Sequence, residues 1–308
     1  MKKQYKILLA TDYSESVMNA ERYAVQFAKS TNSILTLFHA YSPPLPPPKI
    51  TQSYDEMLRN LKAAETKKLV QHRDELFRSL NVNPGELNSE CTVREGGAGN
   101  QIRKEAKESE VDFIVVGTHG ESGFREVLFG SHTWNVIKKS SVPVLVIPKD
   151  ALFTGIKNIV FGTEYREGEI QVLDFLVQFA KQFDAELTVL HVTNYVLSKA
   201  FEKEIFEKFR RDIKGKISYE KLKIRLIKNN DLISGLNKFC ENEKMDLLVM
   251  CPEKQILFEK IFIPFASSTR KMSFHSTIPL MTIPDFYNPE HADFWKIFEK
   301  GELMDEEF

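Results

Sequence analysis

The stretch Phe113-Ile-Val-Val-Gly117-Thr-His-Gly120-Glu-Ser-Gly123, followed after nine residues from Gly120 by Gly130-Ser131, decides how this chain is read. Phe113 to Val116 is an apolar run of the kind that forms a buried parallel strand. Ser131 then opens a helical stretch, His132 to Lys139. Strand, glycine turn and helix start in that order build an anion site. Glycine lets the backbone approach a phosphate closely. A helix start offers unpaired N–H groups at the positive end of its dipole, and the Ser131 hydroxyl adds a donor. The pattern lacks the Gly-Lys-Ser/Thr of the Walker loop and the G-x-G-x-x-G of the dinucleotide fingerprint. The plainer reading is a turn that merely links strand to helix; three spaced glycines and a capping serine argue against it.

Outward from that stretch, the chain is a duplication. Val25-Gln-Phe-Ala-Lys29 recurs letter for letter as Val177-Gln-Phe-Ala-Lys181, an offset of 152. At the same offset Thr11 meets Thr163, Asp12 meets Glu164, Leu35-Thr36 meets Leu187-Thr188, and His39 meets His191. Asp112 meets Asp246 at an offset of 134, so the second half is 18 residues shorter between its second and fourth strands. A proline-rich insert, Pro43 to Pro48, lies in the longer stretch of the first half. Two repeats of this length mean tandem domains rather than a solenoid.

Each half alternates strand with helix. The expected strands of the first are Tyr5–Ala10, Ser33–His39, Leu87–Val93, Asp112–Val116 and Pro143–Ile147. Those of the second are Asn158–Phe161, Glu186–His191, Lys223–Ile227, Asp246–Met250 and Pro279–Ile283. Amphipathic stretches such as Ser16–Lys29 and Asp55–Ser79 run between them. This predicts an α/β protein with two tandem doubly wound parallel sheets of five strands. Ligands of such sheets bind beyond the strand carboxyl ends, where the strand order reverses. The expected domains are 1–150, 151–284 and an acidic aromatic tail, 285–308.

Composition is that of an ordinary soluble globular protein, 42% hydrophobic and 28% charged. A net charge of −1 gives no electrostatic case for nucleic acid or an anionic membrane. No apolar run reaches the roughly 18 residues a spanning helix needs. The lysine-led start has an apolar core of only Ile7 to Ala10, too short for a signal peptide, and the expected location is the cytoplasm. Cys91, Cys240 and Cys251 form no C-x-x-C pair and read as free thiols rather than disulfide or zinc ligands.

Gly117, Gly120, Gly130 and Ser131, with two and nine residues between the glycines, resemble the motif of the universal stress protein family. The resemblance covers about residues 3 to 284, with the diagnostic motif in the first half alone. It implies strand order 3-2-1-4-5 in a fold like that of the adenine-nucleotide alpha-hydrolases. It also implies ATP as ligand, with Mg2+ entering through the nucleotide. The backbone near Ala40 would receive adenine, Thr11 and Asp12 would sit near ribose and phosphates, and Gly117 would floor the ribose. Gly120, Gly130, Ser131 and His132 would cradle the phosphates, with Thr133 a further donor. Family members commonly pair their fifth strands. Here Pro143–Pro148 and Pro279–Pro284 would pair internally as a pseudo-dimer, and a homodimer is a further option.

Asp12 has its own chemistry, since a carboxylate at a strand end can accept from a ribose hydroxyl or help place a hydrated Mg2+. Asp12 and Ser14 also read as caps of the following helix, and both roles stand. His119 and His132 read as exposed loop histidines, Arg125 and Lys138 as solvated helix charges, and His39 and His191 as packing near the sheet edge. In the second half Cys251 and Lys254 replace Gly117 and Gly120, while Ala266-Ser267 replaces Gly130-Ser131. Added side chains and Pro252, which lacks an N–H, predict weak or absent ATP binding there. Lys271-Met-Ser273 is similar to part of a synthetase signature, but it aligns with an ordinary helix and is coincidental. The tail from Asp285 to Phe308 carries eight acids and two lysines, with Phe286, Tyr287, Phe294, Trp295 and Phe298 interleaved, and reads as an amphipathic segment against the body or a partner-docking segment.

The leading function is therefore a regulatory or stress-response ATP-binding protein. A slow ATPase or nucleotidyl-transfer enzyme and a non-binding interaction module are the alternatives. No arginine finger, dedicated base or two-metal carboxylate cluster speaks for efficient phosphoryl transfer.

Overall fold

The computed structural model describes residues 4–44, 54–83, 85–118, 131–165, 169–193, 199–252, 272 and 276–284. The chain forms two compact units, Met1–Gly155 and Ile156–Phe308. Most of the proline-rich insert, Gly120, Gly130, Lys254, Ser267, Lys271, Ser273 and the tail beyond residue 284 lie outside the described residues.

In the first unit the elements are β1 (Lys6–Ala10), α1 (Met18–Ser30), β2 (Ile34–Tyr41), α2 (Tyr54–Ser79) and β3 (Ser89–Glu95). They continue as α3 (Ala98–Glu108), β4 (Phe113–Gly117), α4 (Ser131–Lys139) and β5 (Val144–Ile147). The strands are parallel in the order β3-β2-β1-β4-β5. The second unit repeats this with β6 (Asn158–Gly162), α5 (Glu169–Phe183), β7 (Glu186–Thr193), α6 (Lys199–Lys216), β8 (Leu222–Lys228), α7 (Leu232–Asn242), β9 (Leu247–Met250) and β10 (Leu280–Thr282). Its order is β8-β7-β6-β9-β10, also parallel. Both are 3-2-1-4-5, doubly wound.

The burial patterns follow from position in the sheet. β4 and β9, inner strands of their sheets, are buried at every residue, as expected where helices cover both faces of a parallel sheet. β3 and β8 lie at the outer edge of their sheets and are partly exposed throughout, with Val93 the one buried residue between them. Tyr5, Phe27 and Phe113 interlock edge to face beneath α1, with centroids 4.9 and 6.2 Å apart. Eight of the 18 residues missing from the second half come from the helix after the second strand, which has 26 residues in α2 and 18 in α6, and the rest come from the connections on either side of it.

Several repeated letters have structural causes. Asp112 accepts the Lys6 amide at 2.8 Å, and Asp246 accepts the Lys157 and Asn158 amides at 2.7 and 2.8 Å. Each aspartate thus joins the first strand of its unit to the fourth. Ser140 and Ser276 each donate to the carbonyl two residues on, at 2.6 Å, just before a fifth strand. The left-handed residues repeat as well: Asn32 and Asp184 (φ 51° and 54°), and Glu110 and Lys244 (φ 49° and 52°). Short polar side chains tolerate that region best, which accounts for the Asn/Asp pair.

Candidate functional site

The strand order reverses between β1 and β4, where Leu9 lies opposite Val115. Two residues further along each strand stand Thr11 and Gly117. Ala40 lies on β2, two residues beyond Phe38, whose carbonyl takes the Thr11 amide at 2.9 Å. The fold thus brings Thr11, Asp12, Ala40 and Gly117 to one end of the sheet. The backbones of Ser131, His132 and Thr133 form the first turn of α4.

Thr11 is buried, and all its polar atoms are engaged. Its hydroxyl donates to Glu21 Oε1 at 2.5 Å and accepts the Tyr13 amide at 3.0 Å. Its carbonyl takes His39 Nδ1 at 2.8 Å. A carbonyl only accepts, so His39 carries a proton on Nδ1. The threonine side chain therefore braces the loop from beneath.

Asp12 is exposed. Its Oδ1 accepts both the amide and the hydroxyl of Ser14, at 3.0 and 2.6 Å, an Asx turn. The capping expectation for Asp12 and Ser14 is corrected here. A turn over residues 15–17 delays α1 to Met18, and Val17 stands at its N-cap without a side-chain hydrogen bond. With Ser14 donating to Asp12, the 2.7 Å contact between Ser14 Oγ and Ser16 Oγ has Ser16 as donor.

Gly117 has a packing reason as well as a positional one. A Cβ there would lie 3.3 Å from Val17 Cγ1 and 3.4 Å from Val17 Cα. The bare backbone lets the start of α1 close down on the end of β4. His39 and His191 are also more than packing near a sheet edge. Each donates from Nδ1 at 2.8 Å to the carbonyl of the threonine after the first strand of its unit. Second strand and first loop are thereby cross-linked.

Three residues at this end escaped the sequence reading: Tyr13, Glu21 and His72. Tyr13 has φ 63°, a strained left-handed conformation for an aromatic residue. Its ring lies 4.4 Å from the His39 ring and 5.1 Å from that of His72, with Lys68 Nζ 4.2 Å from its centroid. Burial, then the charge of Glu65, push its hydroxyl well above the ordinary tyrosine range. Glu21 is 1% exposed and takes the His72 ring at 2.8 Å as well as the Thr11 hydroxyl. That hydrogen bond raises the His72 pKa against the opposing effect of burial. One signal was available: Tyr13 recurs as Tyr165 at the repeat offset of 152.

The second unit keeps the brace and changes the surroundings. Thr163 donates to Glu169, accepts the Tyr165 amide at 3.1 Å, and holds His191 by its carbonyl. Tyr165 again has φ 62°. Its ring stacks on His191 with centroids 4.0 Å apart, and Phe206 and Phe209 of α6 pack at 6.4 and 4.8 Å. At the strand ends Val192 stands where Ala40 stands in the first unit, and buried Cys251 where Gly117 stands. They line a small open crevice with Leu190, Leu232, Leu236 and Met250. Gly235 makes room for Val192, since a Cβ there would lie 2.8 Å from Val192 Cγ1.

Among the described residues no cluster of three or more His, Cys, Asp or Glu side chains could hold a metal ion. Nor is any described helix long and apolar enough to cross a membrane. Cys91 is partly buried, Cys240 and Cys251 are buried, and none of the three forms a disulfide; burial pushes the Cys240 thiol up to about 12.

Residues 5–148 match the model of the Universal stress protein family. That half of the chain belongs to the universal stress protein family. The universal stress protein half is 29% identical over 155 residues to Universal stress protein MJ0577 of Methanocaldococcus jannaschii, covering 47% of this chain and 94% of that protein. Across both units the chain resembles the crystal structure of a universal stress protein from Archaeoglobus fulgidus, with TM-score 0.65, 15% identity, and 91% and 96% of the two chains covered. It also resembles the functionally unknown protein PA1789 from Pseudomonas aeruginosa, with TM-score 0.60, 13% identity, and 97% and 98% covered. At these identities the two structural likenesses are of fold alone.

Proposed function

We propose that the universal stress protein unit binds an adenine nucleotide, ATP, beyond the carboxyl ends of β1 and β4, and that occupancy regulates the protein's conformation or association. The observation that carries this is the meeting of strand reversal and motif. Gly117, first glycine of the G-x2-G-x9-G-S pattern, closes β4 beside the loop that holds Asp12. The pattern's Ser131 opens α4.

The donor set suits a nucleotide. Backbone N–H groups at the start of α4 and in the glycine loop would receive phosphates, as anions settle at helix starts. Exposed Asp12 is available to a ribose hydroxyl or to the hydration shell of a nucleotide-bound Mg2+. Ala40 offers backbone groups and little bulk to a purine. Thr11 serves from below, because its hydroxyl is committed to Glu21 and Tyr13. Nucleotide occupancy shifts an equilibrium only where the two states bind it unequally. The second unit, with Cys251, Pro252 and Val192 at the equivalent places, binds ATP weakly or not at all.

The test is direct titration of the full chain with radiolabelled ATP, with released phosphate followed in the same samples. One nucleotide bound per chain without multiple turnovers supports this reading. Many turnovers replace it with an ATPase, and a folded chain that binds none replaces it with an interaction module.

A further inference from the structure

We infer that Glu21 and His72 are positioning residues whose hydrogen bond sets the Thr11–Ser14 loop, so that loop conformation and nucleotide affinity follow the protonation of His72. The affinity half of this rests on the nucleotide reading above; the loop half does not.

The contacts form one chain. Leu69, His72 and Leu76 share a face of α2 at helical spacing, and the two leucines are buried. That face directs His72 onto Glu21 of α1, at 2.8 Å. Glu21 takes the Thr11 hydroxyl, Thr11 takes the Tyr13 amide, and the Tyr13 ring returns to His72. Asp12 lies between Thr11 and Tyr13, so anything that shifts those two moves the exposed carboxylate.

The charge balance makes His72 the sensitive member. A carboxylate 1% exposed needs a countercharge or a full set of donors. The His72 side chain, 24% exposed, can still exchange its proton with solvent. The charged groups around the pair are Lys68, Glu65 and Glu75 from α2. His39 from β2 and Cys91 from β3 face it around the Tyr13 ring. Among these Lys68 opposes the imidazolium, while Glu21 and Glu75 favour it. Above its pKa, His72 can keep the hydrogen bond but loses the charge that offsets Glu21.

The second unit makes the inference specific. Its loop has the same threonine brace, the same histidine and the same left-handed tyrosine, yet Phe206 and Phe209 flank the tyrosine there. A second imidazole, from the helix after the second strand, is therefore not what this loop requires to form. It occurs in the copy that keeps the glycine motif.

The experiment follows Tyr13 and Ser14 amide resonances, the His72 ring and ATP affinity on the full chain from about pH 6 to about pH 9. The loop amides are expected to titrate with the midpoint of His72, above about 6.5, while ATP affinity falls roughly 5-fold. In His72→Phe both profiles flatten. His72→Gln keeps a donor to Glu21 without a titrating charge, and it too leaves the loop amides still, which guards against a folding defect in the first variant. Loop amides that ignore the His72 midpoint overturn the inference, as does an unchanged ATP profile in both variants. Should the wild-type chain bind no ATP at any pH while the loop still follows His72, the nucleotide reading fails and the loop coupling stands.

Discussion

The two strand-end loops, Thr11–Ser14 and the one beginning at Thr163, share a backbone and differ in what surrounds it. In both, a buried threonine is held by a glutamate below, a histidine beside and a left-handed tyrosine two residues on. The glutamates come from different positions, Glu21 within α1 and Glu169 at the first residue of α5. A hydroxyl buried at a strand end needs an acceptor, and either position supplies one. What diverged is the space above the loop. Ala40 and Gly117 became Val192 and Cys251, and Gly235 accommodates the larger valine. The brace survives the change from Gly117 to Cys251 because its side-chain hydrogen bonds run through the threonine, glutamate, histidine and tyrosine of each loop.

The strongest way to break this contrast is Gly130→Val. It should weaken ATP binding by at least ~100-fold, about 3 kcal/mol, while circular dichroism and melting stay those of the parent. Unchanged affinity in a titration would remove the site from this loop.

A second test sets the shared brace against itself. Thr11→Val and Thr163→Val each remove a donor from a buried carboxylate, and each should cost about 2 kcal/mol in urea unfolding. A neutral Thr163→Val would mean that the second unit keeps its brace without depending on it.

Ala40→Val transplants the second unit's residue into the first and should lower ATP affinity about 10-fold, or about 1.4 kcal/mol, measured by calorimetry. Full affinity would show that bulk on the second strand is not what separates the two copies.

Gly117→Ala probes packing rather than ligand. With Val17 atoms 3.3 to 3.4 Å from the new methyl, unfolding should become easier by about 1 kcal/mol. An unaltered midpoint would mean that α1 yields without cost.

The smallest effect is on stability against pH. The raised pKa of His72 means that its contribution is fully present below the unfolded value of about 6.5 and is lost as pH rises through the folded value. The parent chain should therefore lose slightly more stability than His72→Phe between about pH 6 and about pH 9. Parallel curves would count against the ion pair.

Much of this was legible in the letters. All ten strands lie where their apolar runs place them, to within a few residues, because buried parallel strands are short, continuous and bounded by turns. The 152 and 134 offsets exposed the duplication, and the repeated aspartates and serines mark real joints between strands. Of the two roles the letters offer Asp12, capping gives way to an Asx turn, because the two use the same residues over a few positions. The role of His39 and His191 is not legible in the letters, because a hydrogen bond to a carbonyl 28 residues away leaves no local signature.

Sequence by itself determined the parallel α/β repeats, the asymmetry of the glycine motif and the family of the first half, since periodicity and spacing are local properties of the chain. Only the tertiary structure decided that Thr11 faces inward, that Gly117 admits the start of α1, and that Glu21, His72 and Tyr13 meet beneath the loop. Those depend on which helix face lies over which strand end, and residues 51 positions apart become neighbours only once the sheet has closed.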